Sequence, residues 1–549
     1  MMIERKRRLF RVVILWLIET GLKLLRNSAT RKKRPTAEQN KALAQLKLSA
    51  NAILRQALTE GHTCIPLDEL ALLVCSRHKD VKADEAVFAL RQLSQWGNIS
   101  VRGDIASLPH VALAEETIAQ RIQFVGRRSP EINLQIIAGY VDTTGSKLNE
   151  EQYSAVRSLA NSPISILTGA PGTGKTMTIK ALSAIFERAG YQVHLAAPTG
   201  RAAARLSEAT GNPAQTLHRL LQSHHRHQSL RELIVPAIKE AIIVDESSMI
   251  DLFLAKRLLE YCTSRTKLIF VGDVNQLPPV GPGQVFRDLV ESGQIHAVEL
   301  INTFRQSSDS DIPTAARQVK AGATLELPSP GTSQSDCYFI EAKSVIAIQR
   351  LVVTAATSSL PKRCGADAHR DIQVLTPMHN GALGTVALNK LIRRSLNKCN
   401  AKATPSPEAV ASKHDFRPGD RVLQTRNNYD LGVFNGECGF VEEVSTETVA
   451  VRFGERRIEY HPASFAELSY GFAITTHRSQ GSEYAFVIIP IHESQQPMLA
   501  RELLYTALTR GKKMVVMIGS RRALDKAINT TRSNRHTGLK TLLSPLTAP

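Results

Sequence analysis

The chain has 549 residues, is 43% hydrophobic and carries a formal charge of +19. That length suits three or four domains of ~150 residues, and the apolar fraction excludes a disordered or fibrous chain. The basic excess points to a polyanion such as nucleic acid or an anionic membrane, and seven scattered cysteines without a C-x-x-C pair exclude a disulfide framework and a structural zinc or iron–sulfur site, as expected in a reducing cytoplasm.

Residues 1–35 hold eleven Lys/Arg against Glu4 and Glu19, a net charge of +9. Such an arm is a solvated tail or a polyanion tether. Within it, Val12 to Ile18 follows Arg5-Lys6-Arg7-Arg8 like the start of a signal peptide, but no small-residue cleavage site follows. An amphipathic helix docking on a partner protein, or translated upstream sequence, accounts for it better. No run reaches the ~18 apolar residues of a membrane span, so no membrane partner is expected.

Residues 36–125 read as helices over 38–59, 66–75 and 83–96, then a hairpin in WGNISVRGDIASLPHVAL (96–113). That order predicts a winged-helix-like domain, a module that binds DNA or docks on protein. A linker over 126–147 follows. From Leu148 short apolar runs alternate with helical segments: SILTG (165–169), VHLAAPT (193–199), AIIVD (241–245) and LIFVGD (268–273), then IQVLTP (372–377), FVIIPI (486–491) and MVVMIG (514–519). Buried parallel strands read this way, and two α/β lobes are predicted, over 148–306 and 307–549. A Gly-punctuated β-patterned stretch at about 413–464 predicts a small barrel inserted in the second lobe.

GAPGTGKT (Gly169, Ala170, Pro171, Gly172, Thr173, Gly174, Lys175, Thr176) fits G-x-x-x-x-G-K-[ST] between a predicted strand and a helix. The glycines let backbone N–H groups turn around phosphates, Lys175 reaches the β- and γ-phosphates, and Thr176 offers a hydroxyl to Mg²⁺. The strand AIIVDE ends in Asp245, placed to hold Mg²⁺, and Glu246, placed to orient or deprotonate the attacking water. LIFVGDVNQLPPVGPG (268–283) puts Gln276 where a γ-phosphate sensor belongs, on a loop that Pro278 and Pro279 stiffen. ATP and Mg²⁺ are the expected cofactors.

With GAPGTGKT, IIVDESSM and GDVNQLPP in this order, the chain resembles the RecD-like branch of superfamily-one helicases, whose members move 5′→3′. The resemblance implies two RecA-like P-loop NTPase lobes, the N-terminal winged-helix-like domain and an SH3-like barrel, the last matched by FNGECG (434–439). It implies an adenine contact from Gln152 in LNEEQ (148–152) and two cations from the second lobe, Arg305 in FRQ and Arg510 in YTALTRGKK. In YGFAITTHRSQGSEY (470–484), Gly481 and Glu483 would border the nucleotide, Glu483 at the ribose. Single-stranded DNA would meet Pro198, Thr199 and Arg201 of APTGRAA, His218 of TLHRLL, Asn435, and Thr475, Thr476, His477 and Gln480.

A first-lobe pin is expected at about 219–239, short and rich in histidine (His224, His225, His227). No Cys or carboxylate completes a metal-ligand set there, so it reads as a solvated loop or a strand-separating pin. The expected activity is an ATP-dependent 5′→3′ DNA helicase working on single strands and single/double-strand junctions, with a protein complex as a further partner through the arm or the winged-helix-like domain. Its rivals are an ATPase that remodels protein–nucleic-acid complexes without unwinding, and an ATP-switched adaptor.

Overall fold

The computed structural model describes residues 37–126 except 79–80, then 132, 136, 139, 148–222, 239–302, 310–399, and 416–544 except 429, 446 and 532–534. The basic arm, most of the pin and Arg305 lie outside the described residues.

Helices α1 (Ala37–Thr59), α2 (Leu67–Arg77) and α3 (Ala83–Gln95) pack Leu46, Leu54, Leu70, Val74, Leu90 and Leu93 together. Strands β1 (Ile65–Pro66), β2 (Ser100–Arg102) and β3 (Ile105–Ser107) form an antiparallel sheet in the order β1-β3-β2. Gly103, at φ +55°, turns the β2–β3 hairpin. Helix α4 (Pro109–Gly126) then leads into the first lobe. Its apolar face shares one core with Ile242, Leu254, Leu258 and Leu268 of that lobe. The N-terminal domain is therefore fused to the first lobe by a continuous apolar contact.

The first lobe contains α5 (Glu150–Asn161), β4 (Ile164–Gly169), α6 (Lys175–Arg188), β5 (Gln192–Ala197), α7 (Gly200–Thr210), β6 (Ala214–Thr216), α8 (Leu217–Gln222), β7 (Glu240–Val244), α9 (Leu252–Tyr261), β8 (Thr266–Gly272), α10 (Val285–Ser292) and β9 (His296–Leu300). All six strands are parallel, in the order β6-β5-β7-β8-β4-β9. Helices cover both faces, so β4, β7 and β8 are buried along their whole length and read as unbroken apolar runs rather than alternating ones. Edge strands β6 and β9 lack such runs and are invisible to that pattern.

The second lobe holds α11 (Asp311–Ala321), β10 (Cys337–Glu341), α12 (Val345–Thr354), α13 (Leu360–Cys364), β11 (Ile372–Thr376) and α14 (Thr385–Cys399). The antiparallel barrel sheet follows, with β12 (Arg421–Gln424), β13 (Cys438–Val444), β14 (Val449–Phe453), β15 (Arg456–Tyr460) and β16 (Leu468–Tyr470) in the order β15-β14-β13-β12-β16. Strand β16 extends it past the expected limit at 464, and Phe416, Val422, Val441, Val451 and Tyr460 fill its core. The lobe resumes with β17 (Ala473–Thr475), β18 (Tyr484–Ile491), α15 (Arg501–Leu508), β19 (Gly511–Gly519) and α16 (Arg521–Asn529). Its parallel sheet runs β10-β19-β18-β11-β17. A last short helix, α17 (Leu539–Leu543), returns to pack against α4 and α10.

Candidate active site between the lobes

Open parallel sheets present their ligand sites at the carboxyl ends of their strands. Here β4 runs into the P-loop, β5 into Pro198-Thr199, β7 into Asp245-Glu246 and β8 into Asp273. The second lobe closes over these ends to leave a cleft of about 510 Å³. Pro171, Gly172, Gly174, Lys175, Thr176, Asp245, Glu246, Gln276, Gly481, Glu483 and Arg510 all line it.

The P-loop geometry follows from its glycines. Gly172 and Gly174 both sit at φ +89°, and a Cβ on Gly174 would strike Gln152 Nε2 at 2.1 Å. A Cβ on Gly169 would lie 2.7 Å from Thr173 Oγ1 and 2.8 Å from the Leu300 carbonyl oxygen. Helix α6 begins at Lys175, so its unpaired N-terminal N–H groups face the cleft, a ready anion site. Lys175 Nζ donates to the carbonyls of Gly169 (2.7 Å) and Ala170 (3.0 Å). Gln152, buried, does not line the cleft. It completes a capping box with Asn149 on α5, and its Nε2 donates to the Thr173 carbonyl at 3.4 Å from behind the P-loop.

Two carboxylates stand side by side at the end of β7. Burial, then the charge of Glu246, pushes the Asp245 carboxyl up to about 6, although it accepts from the Glu246 N–H at 2.8 Å. An oxygen donor on the cleft wall that resists carrying its charge alone fits a divalent cation, which would restore that charge. Glu246 is the one non-glycine residue among those described with a positive φ, +52°. Strained backbone of this kind is concentrated at functional sites, and here it ends the strand and turns the chain at the cleft.

The second lobe completes the site. Arg510 is 2% exposed; its Nε donates to the Thr506 carbonyl (3.0 Å), Nη1 to the Ser482 carbonyl (3.3 Å) and Nη2 to Thr509 Oγ1 (3.4 Å). Opposite, the Gln276 loop is gripped from that lobe. Leu277 N donates to Thr506 Oγ1 (3.2 Å), and Gln480 Nε2 donates to the Leu277 carbonyl (3.3 Å). The Gln276 Oε1 is buried without a hydrogen-bond partner on the cleft wall. Such an atom is expensive unless a ligand or water satisfies it.

Several DNA-facing expectations need correction. Arg201 is turned inward, donating to the Gly436 carbonyl (3.3 Å) and Tyr484 Oη (3.2 Å), because α7 packs beneath the barrel. Gln480 is buried on the Gln276 loop, and Thr476 is wholly buried because it opens the turn that carries Gln480 inward. Thr199 caps α7, accepting from Ala202 N at 3.2 Å, beside half-buried Pro198. Thr475 caps the next turn, His477 is half-buried, and His218 and Asn435 are exposed. Glu483 pairs with Arg205 of α7, and with Lys512 at 3.1 Å, at the mouth of the cleft. Arg205, Lys512 and the interlobe hydrogen bond that Tyr505 Oη donates to Asp273 Oδ2 (2.8 Å) escaped the sequence reading. Arg205 had one local signal, lying one helical turn from Arg201.

Three family models match successive parts of the chain. An AAA domain matches residues 147–329, an ATP-dependent RecD-like DNA helicase SH3 domain 388–453, and a UvrD-like helicase C-terminal domain 470–518. The RecBCD enzyme subunit RecD of Mycolicibacterium smegmatis is 30% identical, over 90% of this chain and 93% of that protein. The chain belongs to the RecD-like family of superfamily-one helicases. A second RecD-like relative, the ATP-dependent RecD2 DNA helicase of Deinococcus radiodurans, is 35% identical over 441 residues. That match covers 79% of this chain, which spans only 58% of the relative's length. Among solved structures, the Bacteroides Pif1 helicase in complex with ADP-AlF3 and ssDNA aligns with 67% of this chain and 92% of that one (TM-score 0.40, 18% identity). As the AAA-domain match and membership of the RecD-like family imply, the two parallel-sheet units are RecA-like lobes. Among the described residues no helix is long and apolar enough to cross a membrane, and no cluster of three His, Cys, Asp or Glu could hold a metal ion.

Proposed function

We propose that this RecD-like chain is an ATP-dependent 5′→3′ DNA helicase acting on single strands and single/double-strand junctions. One observation carries the reading: P-loop Lys175, strand-end Asp245 and Glu246, Gln276 and the second lobe's Arg510 line a single interlobe cleft. Each group has one task in phosphoryl transfer to water. The α6 N-terminus and Lys175 bind the β- and γ-phosphates, and Glu246 orients the attacking water and takes its proton. Gln276 reads the γ-phosphate, and Arg510 stabilises charge developing on the transferred group. Thr176 and Asp245 would hold Mg²⁺, which neutralises phosphate charge when bound. Because Arg510 arrives from the second lobe, the site is complete only when the lobes close, and that requirement couples hydrolysis to movement. Arg305 would add a second cation.

Single-stranded DNA runs across the lobe tops, over Pro198, Thr199, His218, Asn435, Thr475 and His477 in this reading. Gln152 braces the P-loop through the Thr173 carbonyl and would supply the adenine contact from there. The N-terminal unit serves as a winged-helix-like docking or DNA-binding domain, and the protein works in the cytoplasm. Strand displacement on forks with a 5′ or a 3′ tail, for the wild type, Lys175→Ala and Arg510→Ala, tests the proposal. Unwinding from the 5′ tail is expected for the wild type alone, with nucleotide binding kept by Arg510→Ala. Unwinding from the 3′ tail, or full turnover without Lys175, would overturn it.

A further inference from the structure

The chain's last segment reaches the far side of the Gln276 loop. The loop Leu277-Pro278-Pro279-Val280-Gly281-Pro282-Gly283 contains three prolines, which carry no N–H, so its carbonyls find few backbone donors nearby. A single guanidinium takes three of them. Arg535 Nη2 donates to the Pro279 carbonyl at 2.7 Å, and Nη1 to the Gly281 and Gly283 carbonyls, each at 2.7 Å. Only arginine offers such a fork of donors from one rigid plane.

The surroundings are shaped to hold that plane. Gly61, at φ +98°, leaves room for it; a Cβ there would lie 2.4 Å from Arg535 Cζ. Gly283 N donates to the Gly61 carbonyl (2.9 Å), and Leu252 N to the Pro282 carbonyl (2.9 Å). The next residues lock the segment in place. Thr63 N donates to the His536 carbonyl (2.9 Å), and Thr537 Oγ1 donates to Asp288 Oδ1 (3.0 Å). Gly538 N donates to Glu115 Oε1 (2.9 Å).

We propose that Arg535 is a positioning residue for Gln276, fixing the outer side of the loop whose inner side the second lobe grips. Arg535 does not line the nucleotide cleft, so it acts only through the loop. Pro278 and Pro279 have φ locked near −65°, so the chain between the Pro279 carbonyl and Gln276 has little freedom to absorb a displacement. Freeing that carbonyl lets Gln276 Oε1 drift from the γ-phosphate, while the P-loop that binds the β-phosphate stays where it is.

The proposal rests on the ATPase reading, and its test separates the two. Turnover at saturating oligo(dT), and affinities for ADP and a non-hydrolysable triphosphate, are measured for the wild type, Gln276→Ala, Arg535→Ala, Arg535→Lys and Gln276→Ala/Arg535→Ala. Arg535→Ala should lose about tenfold in kcat, a loss that small displacements of positioned groups readily cause. Its KM and its ADP affinity should stay within about twofold, as expected when only transition-state positioning is lost. Preference for triphosphate over ADP should likewise stay within about twofold. Arg535→Lys, folded but with a single point donor, should recover little of the loss. In the Gln276→Ala background, Arg535→Ala should cost nothing further, because both changes remove one function. Additive losses, an equal fall in ADP affinity, or wild-type turnover by either Arg535 variant would overturn the positioning role. A wild type without ATPase activity would instead overturn the function.

Discussion

The Phe434 ring of the barrel occupies the place where Gly200 of the first lobe would carry a side chain: a Cβ there would stand 2.4 Å from both Phe434 Cβ and Cγ. Barrel and first lobe are 234 residues apart in sequence, yet they meet closely enough to require a glycine. The neighbouring Arg201 is spent on the same junction through the Gly436 carbonyl and Tyr484.

Gly200→Ala should therefore be harmful although alanine is the better helix former. Overpacking of this kind costs about 1–3 kcal/mol. In a Phe434→Gly background both the ring and the Phe434 Cβ are gone, so the added methyl has room and the same substitution should cost almost nothing. Thermal melting of the four proteins in this cycle measures the coupling. Equal losses from Gly200→Ala in both backgrounds would show that the ring is not what excludes a side chain.

The strain at Glu246 makes a second prediction. Left-handed backbone costs a non-glycine residue roughly 1–2 kcal/mol, whereas glycine elsewhere in ordered structure is the poorer choice. Glu246→Gly should melt above Glu246→Ala, by about 1 kcal/mol of stability. Both should bind ATP and neither should turn it over. A less stable glycine variant would mean that the surroundings, rather than the function of the side chain, keep a non-glycine residue at φ +52°.

Much of this was legible because a phosphate site is local. The P-loop glycines, Lys175 and the acidic strand end are defined by neighbours in sequence, and buried parallel strands announce themselves as apolar runs. The SH3-like insertion showed through its Gly-punctuated alternation. What the sequence could not show is where a polar side chain goes when its partner is distant. Arg201 and Gln480 look like strand-binding groups in their motifs. Their hydrogen bonds, to Gly436 and Leu277, cross 235 and 203 residues. Arg535 sits in a stretch with no motif at all, and its role arises from three carbonyls of one distant loop that its guanidinium takes together. Edge strands β6 and β9, half-exposed and short, carry no run to detect.

Asp288 supplies the last prediction, on pH. It lies under the returning C-terminal segment, where Oδ1 accepts from Thr537 Oγ1 (3.0 Å) and Gln284 Nε2 (3.4 Å), while Oδ2 is buried without a partner. Burial pushes its carboxyl up to about 7, with Glu115 and Glu291 adding to the rise and the two hydrogen bonds opposing it. In the unfolded chain the same group titrates near 3.9. Between about pH 4 and pH 7 the folded state thus holds a proton that the unfolded state has released, so this group's stability contribution falls as pH rises through that window and is flat above it. Asp288→Asn keeps an oxygen for Thr537 and Gln284 and removes the charge. It should leave stability little changed at pH 4.5 and raise it at pH 8 by more than about 1 kcal/mol, since one pKa unit corresponds to about 1.4 kcal/mol. Melting temperatures of the two proteins across pH 4.5–8 measure the difference. If Asp288→Asn is the less stable protein at pH 8, the ionised carboxylate must be satisfied in place, and the buried, unpartnered Oδ2 cannot be the cause of the shift.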